Sequence, residues 1–253
     1  MSVGEDGESR GPGERRAELE GRLAAVRERI AAACAAAGRD PDQVELMAVT
    51  KTVPAADVAM LLDLGLTLFG ENRAQEAGAK VAEVAALRPD AHPRWHFIGG
   101  LQRNKARVVV AWAGRVESVD SVRLADALDR AAAHARDEGL RTGPLPVLLQ
   151  YSVDGDPDRG GVPSDGLMAL ADHVAGCPAL RLEGLMAVAP LKAEPEAAFT
   201  DIADAAARLR SAHPDASVLS AGMSGDLEVA IRHASGVVRV GTALLGYRPL
   251  ASL

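Results

Sequence analysis

The sequence predicts an α/β fold, a single (β/α)8 or TIM barrel with one additional helix at its N-terminus. Eight short apolar runs, several of them rich in Val, alternate with stretches of helical periodicity. These units recur at roughly the thirty residues that a strand and its crossover helix need. Strands that alternate with helices form a parallel sheet, and eight such units close into a barrel. An open, doubly wound sheet of eight strands is the alternative.

The first long helical pattern precedes the first strand and spans residues 14–37. Gly38 ends the pattern, and Pro41 confirms the stop. Because this helix lies before the repeat, we expect it to pack outside the barrel or to cap one end. Its apolar residues recur at spacings of three and four, at Leu19, Leu23, Val26, Ile30 and Cys34.

The predicted strands are apolar runs bounded by Gly, Pro or polar residues. They span residues 44–51, 66–72, 95–100, 115–119, 146–153, 181–188, 217–223 and 236–242. The predicted helices between them span residues 55–64, 73–87, 104–112, 121–139, 164–176, 195–213 and 224–234. Ser121 is expected to cap its helix. The polar loop at residues 154–161 has a composition that permits the motion of a lid.

We expect one domain over residues 14–253, because no linker separates the units. Residues 1–13 carry Gly, Glu, Ser and Arg without an apolar core, which predicts a disordered tail and no targeting signal. No apolar run reaches membrane-spanning length. Cys34 and Cys177 form no CxxC pair, so we expect two free thiols, no zinc site and a cytoplasmic protein.

Charge and aromatic content exclude several classes of partner. The net charge of −7 argues against a protein that binds nucleic acid through its whole surface. Aromatic residues make up only 3% of the chain and offer no platform for single-stranded nucleic acid. We expect neither nucleic acid nor membrane as a partner. A closed barrel leaves no edge strand to pair with another chain, so we expect a monomer.

The carboxyl ends of barrel strands line one mouth, which is where such folds place their chemistry. The residues predicted there include one amine, several hydroxyls and amides, and several glycines. They include no Ser-His-Asp set and no cluster of His with carboxylates that would hold a metal. The predicted mouth residues are Lys51, Glu71, Asn72, Gly99, Gly100, Asp120, Ser152, Ala187, Met223, Ser224, Gly241 and Thr242.

Lys51 is the amine of this set and ends the first strand abruptly. An amine that is partly removed from water can act as a nucleophile towards carbonyls. Taken alone, however, the stretch favours a lysine that simply leaves the sheet for water.

A second signal comes from the last two units. Met223-Ser224-Gly225-Asp226 is predicted to turn directly from the seventh strand into a helix, and Gly241-Thr242 follows the eighth strand. Barrels frequently bind phosphate between these two loops, with backbone N–H groups at a helix N-terminus. The hydroxyls of Ser224 and Thr242 would add donors. The alternative is that Ser224 only caps the helix and Gly241 only serves a turn.

A lysine opposite a phosphate cradle is the arrangement that pyridoxal 5′-phosphate (PLP) needs. Its aldehyde forms a Schiff base with the amine, and its phosphate anchors the other end. Arg239 shares a face of the eighth strand with Gly241, and the pyridine nitrogen is a candidate partner for its guanidinium. A barrel that binds another phosphorylated metabolite, with Lys51 serving as a charge, is the alternative.

Seven segments follow one another from the first strand to the eighth: AVTKT at 48–52, FGEN at 69–72, WHFIG at 95–99, LQRNK at 101–105, GLMA at 184–187, GMSGD at 222–226 and VRVGT at 238–242. Together they resemble the pyridoxal phosphate homeostasis protein family, which is related to the barrel domain of alanine racemase (PLP fold type III). Any single segment would be weak, but seven in order make a chance match implausible.

The resemblance implies a role for each residue of the proposed site. It implies that Lys51 carries the Schiff base and that Arg239 faces the pyridine nitrogen. It also implies cofactor-binding positions for the others, without assigning a catalytic residue or a metal: Asn72, Met223, Ser224, Gly241 and Thr242.

The resemblance further implies intracellular PLP homeostasis, with the protein as a carrier or buffer that serves PLP-dependent apo-enzymes. An amino-acid racemase is the alternative. Neither Tyr151 nor Tyr247 fits the position of the second acid/base that racemase relatives take from an additional domain. Arg239 stays charged and cannot usefully protonate the ring nitrogen, which weakens the cofactor as an electron sink. We therefore expect a non-catalytic or very weakly catalytic protein.

Overall fold

A computed structural model describes residues 11–246, in which eight strands follow one another around a closed barrel. Each strand runs parallel to its neighbours. The barrel closes where the first strand pairs with the eighth, from Glu45 opposite Val237 to Ala48 opposite Val240. The (β/α)8 barrel predicted from the sequence is confirmed, and the open sheet is excluded.

Strands and helices alternate after one leading helix. The strands are β1 Glu45–Val49, β2 Leu68–Glu71, β3 Arg94–Phe97, β4 Arg115–Val119, β5 Leu145–Tyr151, β6 Leu180–Ala187, β7 Val218–Ser220 and β8 Val237–Val240. The helices are α1 Pro12–Ala36, α2 Ala55–Asp63, α3 Ala74–Leu87, α4 Ala106–Val110, α5 Val122–Asp137, α6 Leu167–Ala175, α7 Pro195–Ala212, α8 Leu227–Arg232 and α9 Thr242–Leu245.

The structure corrects several predicted boundaries. β7 ends at Ser220, and a turn at residues 224–226 separates it from α8, so this strand does not pass directly into a helix. The short helix α9 was not predicted. Ser121 precedes α5, but its side chain makes no capping hydrogen bond. α1 begins at Pro12, inside the predicted tail, while residues 1–10 and 247–253 lie outside the described residues.

The apolar core lies in two places. Two large clusters fill the space between the sheet and the surrounding helices. A small third cluster joins Met47, Leu68 and Val237, with Ile98 and Val218 packed against it. These residues come from β1, β2, β7 and β8 and from the residue after β3, and they meet inside the barrel. Between residues 11 and 246, no helix has both the length and the hydropathy needed to cross a bilayer.

Helix α1 belongs to none of the eight strand–helix units, and it packs against the last elements of the barrel. Its buried residues include Leu19, Leu23, Val26 and Ile30, as its periodicity predicts. Its closest helical neighbours are α8, α9 and α2. The helix therefore joins the end of the chain to its beginning on one side of the barrel.

Gly184 in β6 offers a test of how tightly the barrel is packed. A methyl group at this position would overlap the backbone of Val218 in β7, and the residue has a φ of +150° that side chains rarely adopt. We expect Gly184→Ala to lower the free energy of unfolding by about 3 kcal/mol, since overpacking and strain each cost roughly 1–3 kcal/mol.

The matched control is Gly21→Ala on α1, where an added methyl group meets no atom within 4 Å. Because alanine is the better helix former, this variant should gain roughly 0.5–1 kcal/mol. Urea denaturation measures both changes. Equal midpoints for the two variants would contradict the packing described here.

Candidate functional site

A cavity of about 350 Å³ opens beside the carboxyl ends of β1, β2 and β8. It brings together four of the predicted site residues, Lys51, Asn72, Gly241 and Thr242. Sequence reasoning missed the others, because nothing in their type or spacing marks them: Val49, Thr52, Val53, Arg73, Leu245 and Gly246.

Lys51 lies in a tight turn directly after β1. The N–H of Val53 donates to the carbonyl of Thr50 at 3.0 Å and closes the turn. Thr52 within it has a φ of +62°, a conformation that is a clear outlier for a β-branched residue. Such strain costs about 1–3 kcal/mol and concentrates at functional sites. The turn leaves the side chain of Lys51 exposed at the edge of the cavity.

A second lysine holds this turn from behind. Lys80 on α3 donates from Nζ to the carbonyl oxygen of Thr50 and to Oε1 of Glu71, both at 2.7 Å. Thr50 Oγ1 donates to the same carboxylate oxygen at 2.6 Å. Glu71 is buried and faces α3, so its predicted position at the mouth is wrong. The peptide that precedes Lys51 is therefore fixed on the outer side of the sheet.

Asn72 follows β2 and contributes an acceptor with no partner. Its Oδ1 is buried and makes no hydrogen bond among the described residues. Gly99 packs directly on its backbone, where an added Cβ would lie 2.8 Å from the Asn72 Cα. Native buried polar atoms are nearly always bonded. An unpaired carboxamide oxygen on a residue that lines the same cavity as Lys51 suits a ligand that offers a hydroxyl.

Gly241 and Thr242 form the opposite side of the cavity at the start of α9. The first N–H groups of a helix have no partner within that helix. Gly241 lies against β1, where an added Cβ would be 3.6 Å from the Val49 Cβ. Gly241 and Thr242 thus line the same cavity as Lys51.

Met223 and Ser224 do not line this cavity. The N–H of Met223 donates to Oδ1 of Asp226 at 2.5 Å, so it is already engaged. The carbonyl of Ser224 accepts from Arg29 of α1 at 3.0 Å. Within residues 11–246 the Ser224 hydroxyl makes no hydrogen bond and remains available for an anion.

Arg239 also lies outside the cavity, inside the barrel. It is 4% exposed and donates to the carbonyl oxygens of Ser220 and Ala187, each at 2.7 Å, and to Ser220 Oγ at 2.9 Å. Burial lowers the pKa of the guanidinium from its ordinary value, while the negative charge of Glu117 opposes the shift. Its predicted contact with a pyridine nitrogen stays a prediction.

Glu117 of β4 connects these groups across the barrel. Ser220 Oγ of β7 donates to its Oε2 at 2.6 Å, and His96 Nδ1 of β3 lies 2.7 Å from its Oε1. Because β4 and β7 are not neighbours, the first bond crosses the interior. Burial alone would raise the pKa of Glu117, but His96, Arg239 and Ser220 together hold it below its ordinary value.

Sequence comparison identifies relatives along nearly the whole chain. A family model described as the alanine racemase N-terminal domain matches residues 22–249. A protein of Mycobacterium leprae named pyridoxal phosphate homeostasis protein is 45% identical over 248 residues, which cover 95% of this chain and 96% of that protein. The chain belongs to the pyridoxal phosphate homeostasis protein family. The family resemblance predicted from the seven sequence segments is thereby confirmed.

Solved structures agree with this family assignment. PipY of Synechococcus elongatus, solved with PLP bound, superposes with a TM-score of 0.75 at 33% identity, covering 90% of this chain and 100% of that chain. Alanine racemase of Corynebacterium glutamicum superposes with a TM-score of 0.67 at 15% identity. This chain covers 62% of that enzyme and is itself covered to 96%. The second likeness shows a shared barrel fold.

Lys80→Met tests the clamp behind Lys51. The substitution leaves the Glu71 carboxylate buried without its cation, and such a loss costs about 3–5 kcal/mol. We expect a loss of that size in urea denaturation. The double variant Lys80→Met/Glu71→Gln removes both charges and should recover much of the loss. A double variant no more stable than the single one would contradict the ion pair as the cause.

Glu117→Gln tests the charge inside the barrel. A carboxylate whose folded-state pKa is lowered stabilises the fold above its unfolded-state pKa of about 4.3, and this contribution is lost as the pH falls through the folded-state value. We expect the variant to lose about 3 kcal/mol at neutral pH. Its stability should also fall less than that of the wild type between about pH 5 and pH 3.

Urea midpoints across this pH range measure the effect of Glu117→Gln. The matched control is Glu20→Gln, which removes an exposed carboxylate on α1 and should leave the pH dependence almost unchanged. If both variants show the wild-type dependence, Glu117 is not the group that responds to acid.

Proposed function

We propose that this chain is a PLP-binding protein that acts in cofactor homeostasis as a carrier or buffer. The observation that carries the proposal is the cavity, which brings the exposed Lys51 together with Asn72, Gly241 and Thr242. PLP supplies an aldehyde for an amine, a hydroxyl for an acceptor and a phosphate for backbone N–H groups. The residues present therefore fit the cofactor at three chemically different points.

The chain's own residues divide the task between two sides of the cavity. Lys51 would hold the aldehyde by condensing with it through its amine, with loss of water, and Asn72 would hold the ring hydroxyl. The backbone of Gly241, the start of α9 and the Thr242 hydroxyl would hold the phosphate. Ser224, which does not line the cavity, is assigned to the phosphate by the family resemblance. Arg239 sets the electrostatic environment of the ring nitrogen from inside the barrel, and Met223 supports the Ser224 turn.

The lining of the cavity favours a carrier over a racemase. Racemisation needs acid/base groups on both faces of the substrate. Among the described residues that line the cavity, none is Asp, Glu, His, Cys or Tyr. Tyr151 donates instead to Asp201 at 2.8 Å, and burial raises its pKa further from a useful range. Tyr247 lies outside the described residues.

The cellular setting follows from the same proposal. Cys34 and Cys177 are free and buried, which supports action in a reducing compartment such as the cytoplasm. A monomer that exposes Lys51 at its mouth would present the bound cofactor to PLP-dependent apo-enzymes.

Lys51→Ala tests the attachment site. The wild type incubated with PLP and reduced with borohydride should retain the cofactor on one peptide, that of Lys51, and should absorb near the edge of the visible range. We expect both signals to disappear in the variant. Lys192→Ala is the matched control, because Lys192 is exposed in the loop before α7 and its loss should change neither. A trapped adduct on Lys51→Ala would overturn the assignment.

Two further measurements separate the carrier from the racemase. Loaded protein mixed with a PLP-dependent apo-enzyme should activate it in the absence of free PLP, and Lys51→Ala should not.

Deuterium exchange at Cα across a panel of amino acids should stay far below ordinary enzymatic rates. Exchange at such rates would favour the racemase.

A further inference from the structure

Three metal-ligating side chains of different kinds meet on the outer layer of the barrel, away from the cavity. They are Asp126 on α5, His173 on α6 and Cys177 directly after α6. Their ligand atoms all lie within 4.8 Å of one another. No step of the proposed PLP binding uses any of these residues.

The local structure explains why they converge. Cys177 lies two residues past the end of α6, and its N–H donates to the carbonyl of Val174 at 3.0 Å, which keeps it beside the last turn that carries His173. The Cys177 thiol donates to the carbonyl of His173 at 3.4 Å, so the sulfur stays beside the last turn. Asp129, one turn after Asp126, accepts the N–H of Ala179 at 2.8 Å and fixes α5 against this end of α6.

The imidazole and the carboxylate already face each other. His173 Nε2 lies 2.7 Å from Asp126 Oδ1. In a tetrahedral zinc site two such ligand atoms are about 3.3 Å apart, given bonds of roughly 2.0–2.1 Å to the ion. An ion that enters between them therefore needs only a small separation of two half-exposed side chains.

The thiol is buried but faces negative charge. Cys177 is 9% exposed. Its sulfur lies within 4.8 Å of the ligand atoms of His173 and Asp126. Coordination of a divalent metal deprotonates a thiol outright and satisfies the surrounding carboxylates at the same time.

We propose that Asp126, His173 and Cys177 form a binding site for a thiophilic divalent ion, Zn²⁺, with water completing the coordination. Zinc combines thiolate, imidazole and carboxylate ligands in tetrahedral sites. Binding replaces the thiol proton, which passes to solvent, and His173 binds in its neutral form. The sequence expectation of no zinc site overlooked the four-residue spacing of His173 and Cys177.

Such an ion would join two adjacent barrel helices. α5 follows β4, which carries Glu117, and α6 follows the polar loop after β5. The metal would bridge α5 and α6 beside the two hydrogen bonds that already join them, from His173 to Asp126 and from the Ala179 N–H to Asp129. Bound metal stabilises the folded state by mass action.

Titration of the full-length protein with Zn²⁺ alone, followed by calorimetry, tests the site. We expect one ion per chain, and at least tenfold weaker binding in Cys177→Ser and in His173→Gln. Cys34→Ala and His213→Gln are matched controls, since each removes the same ligand type outside the cluster, and both should bind as the wild type does. With Co²⁺ in place of Zn²⁺, a thiolate-to-metal charge-transfer band should appear and be absent in Cys177→Ser.

Thermal unfolding of every variant without metal shows whether it is folded. If Cys177→Ser does not fold, His173→Gln decides, because its side chain is half-exposed and its loss is tolerated by the core. The proposal is overturned if Zn²⁺ binds equally well to the wild type and to the folded cluster variants. It is also overturned if the Co²⁺ band survives in Cys177→Ser, or if the wild type binds no ion.

Discussion

The buried carboxylate of Glu117 constrains how side chains can be arranged inside the barrel, next to the end that carries the cavity. Glu117 has no access to water and must be compensated by groups that converge on it from β3, β7 and β8. His96 and Ser220 satisfy its oxygens, and Arg239 bonds Ser220 in turn. Each of these groups is therefore fixed by the others. These bonds join strands on opposite sides of the barrel. They therefore also fix the carboxyl ends of those strands, which lie next to them.

The two sides of the cavity are built on different physical grounds. On the side of Gly241 and Thr242, ordinary helix geometry leaves backbone donors free. On the side of Lys51, the geometry is costly, since Thr52 adopts a left-handed conformation and Lys80 must neutralise the buried Glu71. The Gly241 side thus rests on ordinary helix geometry, whereas Lys51 is held in a position that the chain maintains at a cost.

Much of this could be predicted from the sequence, and the reason differs by element. Periodicity located all eight strands, because a barrel strand buried on both faces stands out from its helices. Lys51 and Gly241 were found because strand ends have a fixed place in this fold. Glu71 was misplaced, since sequence does not show which face of the sheet the last residue of a strand takes. Lys80 gave no signal, because its role depends on α3 crossing behind β1. Glu117 did give one, an acid in the middle of a fully buried strand, but its partners are far away in sequence.

Helix α1 gives the barrel a mechanical asymmetry. Its Arg29 bonds the Ser224 carbonyl and pairs with Glu228, and its Arg15 bonds the Leu245 carbonyl and pairs with Asp57. One rigid rod therefore holds both segments, with the two arginines roughly 20 Å apart along its axis at 1.5 Å per residue. Through Asp57 the same rod also reaches the start of α2, directly after the turn that carries Lys51. One helix outside the strand repeat therefore ties together the segments that follow β1, β7 and β8.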